Sequence, residues 1–158
     1  KANLFHYYPT KEALGLAVFD YSSDGFKEWI MQQLQTDTKD PMKKVVQMFD
    51  TSIASMRDNN CRLGCFVGNL AQELSNHNES IRIKISDLFK HWIDELATLL
   101  EHEQATGYLR ADFNPKSAAE AIIALFEGSL LIAKARKSPE TIENAKQMAI
   151  DYISAFKS

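Results

Sequence analysis

The residues best suited to chemistry in this sequence are its histidines and acidic side chains, and their spacing assembles no catalytic or metal centre. A di-iron helical bundle needs Glu-x-x-His pairs, and no histidine here follows a glutamate by three positions. The four are His6, His77, His91 and His102. The pairs Glu73/His77 and His91/Glu95 have the spacing of ordinary helix-surface contacts. Nucleophile elbows, P-loops and G-x-G-x-x-G turns are absent from the sequence. It therefore predicts no enzyme, no metal and no cofactor.

The two cysteines, Cys61 and Cys65, are spaced C-x-x-x-C and have no second pair with which to complete a zinc site. Cys65 begins an apolar run and is expected to be a small buried side chain. Cys61 is expected to be more exposed, and the charge of Arg62 can lower its pKa. Structural cysteines and a thiol-sensing pair both stay open as interpretations. Two cysteines in 158 residues form no disulfide framework, which favours the reducing cytoplasm.

The composition predicts one soluble, mostly helical domain. The chain is 45% hydrophobic and 25% charged, with only six glycines and four prolines. These are too few turn-forming residues for an all-β fold. A net charge of -3 argues against general coating of nucleic acid, although it leaves room for a local basic face. The longest apolar stretch, 121–133, is interrupted by Glu127 and is shorter than the roughly 20 residues that span a bilayer. We therefore expect no membrane partner.

Capping signals divide the chain into helices. Thr10 precedes the segment 11–34, in which apolar residues recur at helical spacing. Asp40-Pro41 opens a second such segment that runs to residue 58. The run 65–75 forms a shorter helix. Asn78 caps a long helix that Gly107 ends, Asn114-Pro115 starts the next, and Ser138-Pro139 starts the last. The pattern predicts an all-α fold.

Aromatic and methionine side chains are frequent on several predicted helices, where they either fill a plain core or line a ligand cavity. Composition alone leaves these two interpretations equally open. If there is a cavity, Asn69 and Glu73 are polar groups that can orient a guest. The candidate pocket residues are Phe19, Phe49, Ile53, Phe66, Asn69, Glu73, Phe89, Trp92 and Phe126.

The most specific pattern lies at the start of the chain, in Lys1-Ala2-Asn3-Leu4-Phe5-His6-Tyr7-Tyr8-Pro9-Thr10-Lys11-Glu12-Ala13-Leu14. This segment resembles the TetR family of transcriptional regulators, in which a short recognition helix passes through an aromatic segment into Lys-Glu-x-Leu at the start of a long connecting helix. The stretch 107–115 and Phe126-Glu127-Gly128 are similar to the family's entry into its penultimate helix. The resemblance implies a partial helix-turn-helix followed by a TetR-type regulatory and dimerisation domain.

The same resemblance divides the chain into residues 1–9, the recognition helix, and residues 10–158, the ligand-binding and dimerisation domain. It implies two more helices before Lys1, so we expect residues upstream to be missing. The side chains expected to contact bases or phosphates of double-stranded DNA are Lys1, Asn3, His6, Tyr7 and Lys11.

The family's regulators are homodimers, and we expect the last two helices to form the interface. Small side chains there allow close approach of a partner. The residues expected at the interface are Ala118, Ala121, Ile122, Leu125, Gly128, Ser129, Ala145, Ala149, Tyr152 and Phe156. The resemblance thus implies a cytoplasmic repressor released from a palindromic operator by a small apolar or aromatic effector. The alternative is a helical ligand-binding dimer that does not bind DNA.

Overall fold

A computed structural model of the chain describes residues 7–34 and 40–158. Within those ranges the chain forms six α-helices: α1 (Lys11–Leu34), α2 (Pro41–Asp58), α3 (Phe66–Leu74), α4 (Glu79–Ala105), α5 (Pro115–Arg136) and α6 (Glu140–Ser154). The described part has no β-strand, only an isolated antiparallel bridge between Leu109 and Lys157. The all-α prediction is confirmed.

Side-chain caps begin most of these helices where the sequence predicts them. Asp40 accepts the Met42 N–H at 3.0 Å, with proline at the first position of α2. Asn78 accepts the Ile81 N–H at the start of α4 at 2.9 Å, and Asn114 caps α5 in the same way. Each cap satisfies a backbone donor that the helix itself leaves unpaired.

Two boundaries differ from the prediction. Cys65 lies just outside α3 and acts as its N-cap, its Sγ accepting the Gly68 N–H at 3.5 Å. The end of α5 is formed by Lys137 in a left-handed conformation, with φ of 54°. Glycine is the usual residue there, so composition gives no signal for this helix end. The Lys137 ammonium donates to the Cys61 carbonyl at 3.2 Å, tying this corner to the end of α2.

The main core lies where α5 packs between α4 and α6, with α2 against α6 and α1 across α2 and α4. Its centre is a set of perpendicular aromatic contacts. The ring centroids of Trp92 and Phe126 are 5.3 Å apart, and those of Phe49 and Phe126 are 5.2 Å apart. Phe26 of α1 adds an edge contact to Trp92 at 5.2 Å. These rings hold the connecting helix α1 against the body of the domain.

A smaller core joins the first half of α1 to α3 and the start of α4. It contains Phe19, Val67, Ile81, Ile85 and Leu88, all buried. An ion pair between Lys84 and Asp20 bridges the same two long helices at the surface, at 2.5 Å. This pair is solvent-exposed and therefore adds little stability, so the apolar contacts position α1.

The C-terminus closes the opposite end of the domain. Arg110 N–H donates to the Phe156 carbonyl at 2.9 Å, and Ser158 N–H donates to the Tyr108 carbonyl at 3.1 Å. The loop between α4 and α5 is thereby tied to the end of α6. Across the described ranges, no helix combines the length and the apolar character needed to cross a bilayer.

Candidate functional site

The main cavity of interest lies between α1, α2, the α2–α3 loop and α5, and has a volume of about 190 Å³. Helix α1 contributes aromatic rings, α2 contributes hydroxyls and a methionine, and α5 closes the far side. The lining residues are Phe26, Trp29, Thr51, Ser52, Ser55, Met56, Gly64, Cys65, Phe66, Phe126 and Leu130. Every element except the short loop is a helix, so the walls of the cavity are held by the main core.

One wall of the cavity is aromatic. Phe26 and Trp29 stack with their ring centroids 5.6 Å apart, and Trp29 lies 6.5 Å from Phe126. Phe66, the first residue of α3, is 39% exposed although it lines the cavity, which places it at the mouth. This wall favours an apolar or aromatic guest, because flat rings pack against one another with little loss of conformational entropy.

Helix α2 contributes hydroxyl groups to the lining from one side of the helix. Thr51, Ser52 and Ser55 are spaced so that successive turns of the helix bring them to the same face. The Thr51 hydroxyl donates to the Gln33 side-chain oxygen at 2.9 Å, which joins α2 to α1. None of the lining residues is charged. The cavity can therefore bind a neutral guest and orient it by hydrogen bonds.

A buried acid lies behind Cys65. Burial raises the pKa of the Glu127 carboxyl, while a hydrogen bond from the Cys65 thiol opposes that shift. Within the described ranges, Glu127 Oε1 is buried and has no hydrogen-bond partner. A Cβ at position 68 would overlap Glu127 Oε2, so a larger residue there would require the Glu127 carboxylate to move.

Burial, and secondarily the Glu127 charge, raise the pKa of the Cys65 thiol far above its ordinary value. The thiol is therefore protonated at neutral pH and is a poor nucleophile. The expected exposure of Cys61 is wrong: its side chain is buried in the main core, whereas Cys65 is partly buried. The Cys61 backbone turns inward at a left-handed residue, with φ of 53°, which periodicity does not reveal.

The structure places only some of the predicted pocket residues at the cavity. Phe66 and Phe126 line the cavity. Five lie elsewhere in or against the two cores: Phe19, Phe49, Ile53, Phe89 and Trp92. They fill interior volume because their helix faces turn toward other helices. The plain-core interpretation therefore applies to them.

Asn69 and Glu73 do not reach the cavity, and instead line an outer groove with Lys134. Asn69 donates to the Leu63 carbonyl at 2.7 Å and accepts from the Lys134 ammonium at 2.8 Å, so it braces the α2–α3 loop against α5. The α2 hydroxyls, which do line the cavity, were not among the residues predicted from the sequence. A cluster of Thr51, Ser52 and Ser55 within an otherwise apolar helix face was the signal available.

Half of the residues predicted for the dimer interface are buried within the chain itself, so they are not exposed to a partner. They pack inside the main core or against it because the two helices turn these faces toward their own neighbours. They are Ala118, Ile122, Ser129, Ala145 and Ala149.

The remaining predicted interface residues are exposed or half-buried: Ala121, Leu125, Gly128, Tyr152 and Phe156. Three further apolar side chains are exposed on the same two helices, namely Leu131, Ile132 and Met148. We call the exposed set Ala121, Leu125, Leu131, Ile132, Met148 and Tyr152 the outer apolar face.

The predicted DNA contacts mostly fall where the structure gives no description. Lys1, Asn3 and His6 lie outside the described residues, as does the side chain of Lys11. Tyr7 is 70% exposed, just before α1 begins. In the described part of the chain, no group of three or more His, Cys, Asp or Glu residues could hold a metal ion.

Comparison with known families gives a match over most of the domain. The model of the tetracyclin repressor-like C-terminal domain matches residues 41–149. This range contains the α2, α3 and α5 walls of the cavity, as well as most of the outer apolar face.

Curated relatives are transcriptional regulators by name. The transcriptional regulator AcuR of Cereibacter sphaeroides is 28% identical over 144 residues, which cover 91% of this chain and 66% of AcuR. The HTH-type transcriptional repressor DhaR of Mycobacterium sp. is 24% identical over 143 residues, or 90% of this chain and 70% of DhaR. The chain thus spans about two thirds of the length of these relatives.

Solved structures share the fold. The regulatory protein TetR from Rhodobacter sphaeroides superposes with a TM-score of 0.87 at 26% identity, covering 96% of this chain and 80% of that one. Reduced NemR of E. coli has a TM-score of 0.81 at 23% identity, covering 97% and 78% respectively. The agreement extends over nearly the whole chain, α1 included.

Proposed function

Because this chain belongs to the TetR family of transcriptional regulators, we propose that it is the regulatory part of a homodimeric repressor that a small effector releases from DNA. The observation that carries the proposal is the cavity, one wall of which is formed by Phe26 and Trp29 of the connecting helix α1. DhaR and NemR, two of its relatives, are repressors by name.

The proposed mechanism works through the position of α1. A guest in the cavity contacts Phe26 and Trp29 and stabilises the arrangement of α1 that best accommodates it. Helix α1 directly follows the segment proposed as the recognition helix, residues 1–9, so a change in its tilt alters the separation of the paired recognition helices. Half-sites on B-DNA lie about 34 to 36 Å apart. Operator affinity therefore falls when the effector-bound separation no longer matches this distance.

We propose that Lys1, Asn3 and His6 contact base edges and that Tyr7 and Lys11 contact phosphates. Amide groups at the start of α1 add to the attraction for phosphate. Phosphate contacts make binding strongly salt-dependent. Operator binding also places the protein in the cytoplasm, where the DNA is.

The outer apolar face is the proposed dimer interface. Leu125 is 37% exposed and Ile132 is 46% exposed on α5, and Met148 and Tyr152 are exposed on α6. Paired across a two-fold axis, α5 and α6 of the two subunits form a four-helix bundle. Gly128 has nothing near the position of its missing Cβ within the chain, so a partner helix can approach closely there.

The test is selection from random duplex DNA with the full-length gene product, followed by competition with candidate effectors. Recovery of a palindromic site whose binding weakens steeply with salt supports the proposal. Replacing Lys11 by alanine should weaken binding to all sequences about equally, whereas His6→Ala should change the sequence preference. Recovery of no palindrome would contradict the repressor assignment and leave a ligand-binding dimer without DNA-binding activity.

A further inference from the structure

We infer that the cavity selects an uncharged, single-ring aromatic compound that carries one hydroxyl group, of the phenol or benzyl alcohol class. The inference rests on the proposed function only in treating this cavity as the effector site. The selectivity itself follows from the size of the cavity, the absence of charge in its lining and the position of its hydroxyl groups.

Size restricts the guest to one ring. A dry protein cavity of about 150 Å³ binds benzene, whereas drug-sized ligands occupy pockets of roughly 300–1,000 Å³. The volume here is about 190 Å³. That accommodates a benzene ring with one or two small substituents, whereas a pair of fused rings would extend out of this volume through the mouth at Phe66.

The lining excludes charged guests. It contains no Lys, Arg, His, Asp or Glu, so an ionised ligand would lose its hydration without gaining a counter-charge. Glu127, which is not part of the lining, is hydrogen-bonded to the lining residue Cys65. If Glu127 is ionised, its negative charge repels an anionic guest, and the lining contains no cation that could offset this repulsion. A benzoate-like guest is therefore disfavoured relative to a phenol of the same size.

The hydroxyl requirement follows from α2. Thr51 is already engaged with Gln33. Ser52 and Ser55 are the other two hydroxyl side chains in the lining. These two lie three positions apart on one helix face, and they share the cavity lining with the rings of Trp29 and Phe126. A guest whose ring packs against these rings can place a hydroxyl between the two serines, where it both donates and accepts.

The experiment measures binding to this chain by calorimetry and by tryptophan emission. Trp92→Phe leaves Trp29, a lining residue, as the sole tryptophan reporter. The probes are phenol, benzyl alcohol, toluene, benzoate and 2-naphthol. We expect phenol and benzyl alcohol to bind tightest and to change Trp29 emission. We expect toluene to bind more weakly, and benzoate and 2-naphthol weakest.

The double variant Ser52→Ala/Ser55→Ala separates orientation by hydrogen bonds from a structural role. Losing one or two hydrogen bonds of about 1 kcal/mol each should weaken phenol binding roughly 5- to 30-fold. Toluene binding should stay unchanged, which a distorted cavity would not allow. The matched control is Ser86→Ala, an exposed serine on α4, with wild-type affinity for both probes. Equal loss of toluene and phenol binding would overturn the hydroxyl assignment.

The failure of this inference can be distinguished from failure of the proposed function. Tight binding of benzoate or 2-naphthol, or binding of none of the probes, overturns the inference even if the full-length protein binds an operator. Phenol binding that leaves operator affinity unchanged supports the stated selectivity and contradicts effector release. Operator release by an unrelated compound, without phenol binding, overturns the inference and supports the function.

Discussion

The two sides of α5 show how the same residue types can serve different purposes. The inner side presents Ile122, Phe126 and Leu130, each at most 4% exposed and packed into the main core. The outer side presents Leu125 and Ile132, which are exposed. On both sides apolar residues recur every three or four positions, and a helix that is apolar all round is normally buried all round. The inner side is therefore buried within the chain, and the outer side is the surface proposed for the dimer interface.

The inner side is itself not uniform. Ile122 is buried and does not line the cavity, whereas Phe126 and Leu130 line it together with the α2 hydroxyls. One helix therefore carries a solid core, a cavity wall and a face open to a partner. A guest that shifts α5 would act on the proposed dimer interface as well as on α1.

The inner side is expected to dominate stability. Phe126→Ala removes a ring that contacts Phe49, Trp92 and Trp29, and truncations of this kind cost about 3–5 kcal/mol. The matched control, Phe66→Ala at the exposed mouth, should cost about 1 kcal/mol. Urea unfolding monitored by circular dichroism measures both. Equal losses would show that the inner side of α5 is not the structural centre of the domain.

The outer side is expected to dominate assembly. Leu125→Glu or Ile132→Glu should place a charge in the dimer interface and raise the dimer dissociation constant about 100-fold or more, equivalent to roughly 2.7 kcal/mol. The folded helical content should be retained. Glu120→Lys, an exposed change on the same helix outside the outer apolar face, should leave the dimer intact. Analytical ultracentrifugation at micromolar concentration measures the oligomeric state of each variant. A monomeric wild type would contradict the proposed interface.

The cavity should respond to filling without a large cost in stability. Ser55→Leu places a branched apolar side chain at the cavity while Ser55 itself is exposed on its other side. Phenol affinity should fall about tenfold, or 1.4 kcal/mol, while the free energy of unfolding changes by less than about 1 kcal/mol. Titration by calorimetry measures the first quantity and urea unfolding the second. Unchanged affinity would place the guest elsewhere.

The smallest expected effect concerns Glu127. Burial raises the pKa of its carboxyl above the ordinary 4.5, so the folded chain holds this proton more tightly than the unfolded chain does. The corresponding stability is present below pH 4.5 and is lost as pH rises through the folded pKa.

Replacing Glu127 by glutamine removes the titrating group while keeping an oxygen that can accept from Cys65. The decline of unfolding free energy between pH 4.5 and neutrality should become shallower, and stability at pH 7 should rise by up to about 1 kcal/mol. Glu120→Gln, on the exposed side of α5, is the control. Parallel pH profiles for Glu127→Gln and the wild type would show that the buried carboxyl carries no such linkage.

Sequence reasoning was most successful where the signal was local. Asn78 and Asn114 each accept a backbone donor three residues away, and Pro41 and Pro115 fix the first helical position, so these starts are encoded within one turn of chain. The left-handed Gly107 after α4, with φ of 81°, is equally local. Lys137, also left-handed, was not predictable because its conformation is supported by a contact with Cys61, far away in the sequence.

What the sequence determined by itself was where the described helices start and which side of each is apolar, because caps and periodicity depend on neighbours within a few residues. Only the tertiary structure decided what each apolar side meets. It buried Ala118 and Ile122 inside the chain, left Ile132 exposed, and placed the Ser52 hydroxyl rather than Asn69 beside the cavity. Those outcomes depend on how each helix is rotated against partners dozens of residues away, and a helical repeat does not specify that rotation.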